Sequence, residues 1–203
     1  MLLFNSPNPA PNPRRVRIFA AEKGIALPMR DLSIPAREHK AEDYLAINPR
    51  GQVPALLLDD GAAITESVAI CRYLEGLHPQ PSLFGTSPLE QAVIEMWSRR
   101  VETILAQPVG AVWVHTHRFT AAIPGRNADW GEANRPRAIE AMRFFNTALQ
   151  EREFLAADSF TIADILLLTT TDFAGFIGIP VPDDLVSLRD WHARVSARPS
   201  AAA

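Results

Sequence analysis

The chain reads as an α+β N-terminal domain of order β-α-β-α-β-β-α followed by an all-helical domain. Three observations predict this. Short apolar runs alternate with helical periodicity up to residue 78. A proline-rich break follows in His78-Pro-Gln-Pro-Ser-Leu-Phe-Gly85. From Pro88 onward nearly every segment carries helical spacing. The organisation expected is 1–78, a linker at 79–87, and a helical domain over 88–203.

Taken in order, Leu2 to Phe4 is a short strand and 5–13, NSPNPAPNP, a proline-rich loop. Asn12 suits an N-cap and Pro13 the first helical position. Val16, Phe19 and Ala20 give that helix a buried stripe, and Gly24 is a fitting stop. Ala26 to Leu32 is a second strand and Ala41 to Ala46 a short helix. Pro54 stands at the entry of the run Ala55 to Leu58, where a strand tolerates a missing N–H. Asp59-Asp60-Gly61 turns the chain back as a hairpin. Thr65-Glu66-Ser67 then opens a helix with apolar positions at Val68, Ala69, Ile70, Tyr73, Leu74 and Leu77.

In the second half, one long helix is expected from Pro88 to about Arg118, bent at Pro108 and Gly110. Residues 121–131 read as loop, and further helices as 133–150, 161–176 and 184–196. Thr161 and Asp164 form a capping box, with Phe160 and Ile165 placed as a hydrophobic staple. Their role reads as structural.

Composition excludes several classes. The chain is 203 residues, 47% hydrophobic and 21% charged, ordinary for a globular protein with a core. A net charge of −3 implies no basic face for nucleic acid. No leader-like start and no bilayer-spanning run is visible, so no membrane association is expected and the cytoplasm is the default compartment. Cys71 is the only cysteine, so no intrachain disulfide or thiolate metal cluster can form. In its apolar helix it reads as a packing residue.

The stretch Asn48 to Glu75, NPRGQVPALLLDDGAAITESVAICRYLE, resembles the glutathione-binding half of the thioredoxin-like domain in cytosolic glutathione transferases. The resemblance extends over nearly the full length. It implies glutathione as co-substrate with no further cofactor or metal, a hydrophobic electrophile as second substrate, and a homodimer paired through helices bearing Met96, Trp97, Val101, Arg99 and Arg100. Ser67 would meet the γ-glutamyl carboxylate at a helix start, and Glu66 the γ-glutamyl amine. Val53 would pair its backbone with the cysteinyl unit, a contact that in relatives depends on a cis bond before the proline matching Pro54. Gln52 would add a further contact, and His39 and Lys40 of Arg37-Glu-His-Lys40 would hold the glycyl carboxylate.

The thiol activator departs from familiar patterns. The usual serine position falls near Ala10 and the bacterial cysteine position on Asn12, while Ser6 lies too early in the loop. PNPRRVRIFAAEKGI is similar to a bacterial and fungal subgroup of the yeast Gtt2 type, which lacks the usual activating side chain. PNxxxV is also similar to Nu-class disulfide reductases, where an Asn helps hold the sulfur. A thiol of pKa about 8.5 must gain about 2.7 kcal/mol to ionise near neutrality. A helix N-terminus supplies up to ~1–2 kcal/mol, and a hydrogen bond to charged sulfur roughly 1.5–3 kcal/mol. Asn12 at a helix start is therefore expected nearest the sulfur. Trp97, Val101, Ile104, Val112 and His115 fit one winding, which makes His115 the histidine expected in the cleft. Val112, Trp113, His115 and Trp130 are the expected acceptor lining. A glutathione-dependent disulfide reductase or peroxidase, and a non-enzymatic binding protein on the same fold, remain as alternatives.

Overall fold

Alternation along the first strand sets the layering of the N-terminal unit. Leu3 and Phe4 are both buried, yet neighbouring strand residues point to opposite faces, so the sheet must be covered on both sides. The computed structural model describes residues 1–203 and shows how. β1 (Leu2–Asn5), α1 (Pro11–Glu22), β2 (Met29–Asp31), α2 (Glu42–Ile47), β3 (Ala55–Leu57), β4 (Ala63–Thr65) and α3 (Ser67–Leu77) follow in that order. The sheet order is β2-β1-β3-β4. β1 pairs parallel with β2, and the other two pairings are antiparallel. Phe4 packs with Leu32, Tyr44 and Ala55 on the α2 side, its ring 5.3 Å from that of Tyr44. α1 packs on α3, and Val16, Phe19, Ile70 and Leu74 of the two helices are fully buried.

The end of α1 shows why sequence stops matter. Lys23 is its C-cap, and Gly24 follows at φ +65°, a left-handed position that costs glycine no Cβ clash. The Lys23 ammonium is wholly buried, ion-paired with Glu75 and donating to the His78 carbonyl at 2.8 Å. Glu75 also accepts from the Ser82 hydroxyl at 3.2 Å and the Leu83 N–H at 3.1 Å. One buried pair thus ties α1, α3 and the proline-rich segment together.

Two compact units divide between Leu83 and Phe84, and Pro199–Ala203 belongs with the first. This tail is a short 3-10 turn, Pro199–Ala202. Arg14 donates to the Ala201 carbonyl at 2.9 Å, and the Ser200 hydroxyl donates to Glu22.

The second unit contains α4 (Pro88–Arg100), α5 (Gln107–Thr116), α6 (Ala128–Ala148), α7 (Ile162–Phe176) and α8 (Val186–Ser196). The single long helix expected over 88–118 is interrupted. Residues Val101–Ala106 form a π-helical turn, and Pro108 sits in the first turn of α5. The wider turn advances the buried face by one residue. Leu105 is therefore buried where the uninterrupted winding called for Ile104, which is 38% exposed. α6 starts at Ala128, earlier than the expected 133, because the Asn127 side chain caps it by accepting from the Trp130 N–H at 2.9 Å. The capping box at α7 is present. Asp164 is completely buried and accepts from the Thr161 N–H (3.0 Å) and hydroxyl (3.1 Å), the Leu155 N–H (2.8 Å) and the Trp191 indole (3.0 Å). Trp97 and Val101 are likewise buried within this unit, which removes them from the apolar surface expected for dimer pairing and leaves Met96 exposed.

Candidate functional site

Strand register brings three chain segments to one end of the sheet. The last ladder pairs at that end are Phe4 with Ala55 and Ala55 with Thr65. One residue further out stand Asn5, Pro54 and Glu66, and then Ser6, Val53 and Ser67.

At the β4–α3 junction, Glu66 occupies the N-cap at φ +67° and no side chain caps the helix. Positive φ is costly for a residue with a Cβ and marks a backbone held by its surroundings. Ser67 is the first helical residue and is buried, so its hydroxyl is not an N-cap. The first-turn N–H groups of α3 lack helical partners by construction and carry the positive end of its dipole. The Glu66 carboxylate is exposed and lies 3.5 Å from Arg50.

The segment facing this junction is shaped by Gly51. Its φ is +56°, and an added Cβ would meet the His39 carbonyl at 2.6 Å, Lys40 Nζ at 2.8 Å and Leu45 at 2.9 Å. That close approach lets Lys40 donate to the carbonyls of Arg50 (3.0 Å) and Gly51 (2.8 Å), with a third N–H remaining. The Gln52 carbonyl accepts from the Asn48 amide at 2.7 Å and from the Tyr44 hydroxyl. Gln52 itself is exposed, Val53 half-buried and Pro54 buried. The Val53–Pro54 bond is cis, as the resemblance implied. Val53 lies outside the ladder, and its main chain takes no backbone partner. His39 points a buried Nδ1 at no hydrogen-bond partner. Burial, then the charges of Lys40 and Arg37, hold its pKa below the ordinary histidine value. Near neutrality it is an uncharged neighbour of Lys40.

The start of α1 departs from the expected cap. Ala10 is the N-cap, Pro11 the first helical residue, and Asn12 and Pro13 lie inside the first turn, with Asn12 exposed. The prolines have no N–H, and the Ala10 N–H is spent on the Pro7 carbonyl at 3.3 Å. Asn12 therefore carries the one free main-chain donor of this helix start. Arg17, which no motif singled out, organises the preceding loop. Its Nη1 donates to Asn5 Oδ1 (2.6 Å) and the Ser6 carbonyl (3.0 Å), and its Nη2 to Asn8 Oδ1 (2.6 Å). Asn5 in turn donates to Asp31 at 2.5 Å.

Family models for the glutathione S-transferase N-terminal domain and C-terminal domain match residues 10–77 and 112–199. Glutathione S-transferase 2 of Saccharomyces cerevisiae is 38% identical over 210 residues, spanning 98% of this chain and 87% of that protein. The chain belongs to the glutathione transferase family. Among solved structures, a glutathione S-transferase domain-containing protein from Marinobacter aquaeolei superposes with a TM-score of 0.93 at 40% identity, covering 98% of this chain and 99% of that one. Gtt2 from Saccharomyces cerevisiae gives 0.93 at 37% identity, covering 98% of each chain.

In this transferase the single cysteine is no nucleophile: Cys71 is fully buried, and burial pushes its thiol far above the usual range. In the helical unit, His115 Nδ1 accepts from the Asn127 N–H at 3.0 Å, so the neutral ring carries its proton on Nε2. The acceptor lining read from sequence separates. Val112 is fully buried. Trp130 lines a groove of about 600 Å³ with Ile104, Pro108, Ala111 and Phe144. Trp113 joins a ring cluster, 4.6 Å from His117, 5.2 Å from Phe173 and 6.3 Å from Phe176. Phe119, 64% exposed, stands 5.0 Å from His117. Sequence reasoning missed Phe119, Phe173 and Phe176, whose only signal was aromatic residues near helix ends.

Proposed function

We propose that the protein binds glutathione at the end of the sheet and transfers its thiolate to a hydrophobic electrophile. The observation that carries this is the pairing of Val53, with an unpartnered main chain, beside the uncapped N-terminus of α3. An extended peptide adds to such an edge, and its α-carboxylate suits the helix end. The names of the relatives support glutathione as that peptide. Ser67 and Glu66 take the γ-glutamyl end, Val53, Pro54 and Gln52 the middle, and the third donor of Lys40, beside neutral His39, the glycyl carboxylate.

The thiol is assigned to the start of α1. The Asn12 main-chain N–H and the helix dipole stabilise the thiolate, and the exposed Asn12 amide adds a second donor. His115, with Nδ1 already occupied, serves as a hydrogen-bond donor and not as a base. The partly exposed rings of Trp113, Phe119 and Phe176 form the acceptor platform. Burial and Arg118 lower the His117 pKa, keeping that ring uncharged beside an apolar substrate. No helix is long and apolar enough to cross a membrane. A cytoplasmic homodimer is the working state, with Met96 and Leu89 as the exposed apolar residues of α4; a stable 22 kDa species at micromolar concentration in sedimentation would refute the dimer.

Calorimetry with glutathione tests the binding reading. Ser67→Ala should weaken affinity about tenfold or more, the worth of a hydrogen bond to a carboxylate, roughly 1.5–3 kcal/mol. Unchanged affinity would remove Ser67 from the site. Ultraviolet titration of the bound thiol tests activation. Asn12→Ala should raise its pKa by about one to two units, whereas superimposable curves would leave the main-chain N–H as the donor. Assays with a chloronitrobenzene and a small disulfide separate transferase from disulfide reductase.

A further inference from the structure

The loop between β1 and α1 cannot organise itself. Residues 7, 9, 11 and 13 are all proline, so every second N–H is missing from Pro7 to Pro13. The Ala10 N–H to Pro7 carbonyl contact, at 3.3 Å, is the one main-chain hydrogen bond made inside the loop. A segment with so few internal bonds needs external anchors to hold one conformation. Arg17 provides them. Its guanidinium spans three oxygens of the loop at 2.6–3.0 Å, from Asn5 at the strand end to Asn8 at the exposed tip. The Asn5 amide is itself oriented by Asp31, directly opposite in the β1–β2 ladder.

We infer that Arg17 is the positioning residue of the thiol site: its planar fork holds the loop from Asn5 to Asn8 so that the Asn12 N–H and the α1 dipole meet the sulfur. This rests on the glutathione reading above. The fork matters more than the charge. An ammonium at the same position is a compact point charge and cannot match the guanidinium's fixed geometry toward three separate oxygens. Arg17 lies in the second turn of α1 and touches none of the residues assigned to the glutathione carboxylates. Its loss should therefore act on sulfur ionisation and turnover, and barely on glutathione affinity.

The experiment compares wild type with Arg17→Lys and Asn8→Ala. Asn8 is exposed at the loop tip, so its truncation removes one contact of the fork without threatening the fold. Melting temperature, calorimetric glutathione affinity, the ultraviolet titration of the bound thiol and kcat with a chloronitrobenzene are measured for each. Expected for Arg17→Lys are a bound-thiol pKa raised by about one unit and, at a pH below the wild-type thiol pKa, a kcat lowered about tenfold, since there one pKa unit is a tenfold change in thiolate. Asn8→Ala should shift both as Arg17→Lys does but less, by about half a pKa unit and about threefold in kcat. Glutathione affinity should stay within about twofold in both. Thiol titrations superimposable on wild type in both variants would overturn the inference. A pKa unchanged in Arg17→Lys would do the same, since charge alone would then suffice. Failure of the wild type to bind glutathione would instead refute the underlying functional reading.

Discussion

Replacing Asp164 with alanine is expected to lower the stability of the helical unit by about 3–5 kcal/mol, the cost of leaving several buried donors unmatched. The carboxylate has no contact with water and accepts from Thr161, Leu155 and Trp191. Alanine would strand those donors in the interior, where each unmatched group carries a desolvation penalty of about 1–3 kcal/mol. Burial raises the Asp164 pKa, opposed by the hydrogen bonds from Leu155, Thr161 and Trp191. Thermal unfolding should shift down by roughly 6–20 °C, at about 2–4 °C per kcal/mol for a chain of this size. Asp164→Asn should recover part of the loss, because an amide oxygen can still accept from two of the donors. A melting temperature within about 2 °C of wild type for the alanine variant would contradict the structural role.

Gly51→Ala is expected to damage both stability and binding. The left-handed φ of +56° penalises any Cβ, by about 1–2 kcal/mol. A contact at 2.6 Å from a backbone oxygen forces a further shift, with overpacking costs of about 1–3 kcal/mol. The strain falls on the chain immediately before Gln52, Val53 and Pro54 and on the Lys40 ammonium. Glutathione affinity should drop at least about tenfold, from loss of placement at both the cysteinyl and the glycyl ends. Calorimetry showing wild-type affinity in a folded Gly51→Ala protein would sever this glycine from the site.

Much of the architecture was legible because its signals are local. Gly24, the Asp59-Asp60-Gly61 hairpin, and the Thr161–Asp164 box each specify a boundary within a few residues, and the structure places boundaries there. The motif around Pro54 and Ser67 was legible as a family pattern. What escaped was nonlocal. The π turn before Pro108 changes the winding of a helix by one residue, so the single face drawn through Ile104 could not survive it. Asn12 was displaced from the cap because two prolines are accommodated inside one first turn. The tie from Trp191 to Asp164 and the fork of Arg17 join residues whose proximity exists only after folding. The rings of Trp113, Phe173 and Phe176 are brought together by α5 packing against α7, which no spacing rule anticipates.

The return of Pro199–Ala203 to the first unit makes that unit discontinuous in the chain, with the helical unit as an insertion. During synthesis, the first eighty-odd residues emerge long before the Ala201 carbonyl that Arg14 grips. The first unit therefore gains its last contacts only after the whole helical unit has been made. A ribosome-bound chain halted before Pro199 should be cut by protease within α1 more readily than the released protein.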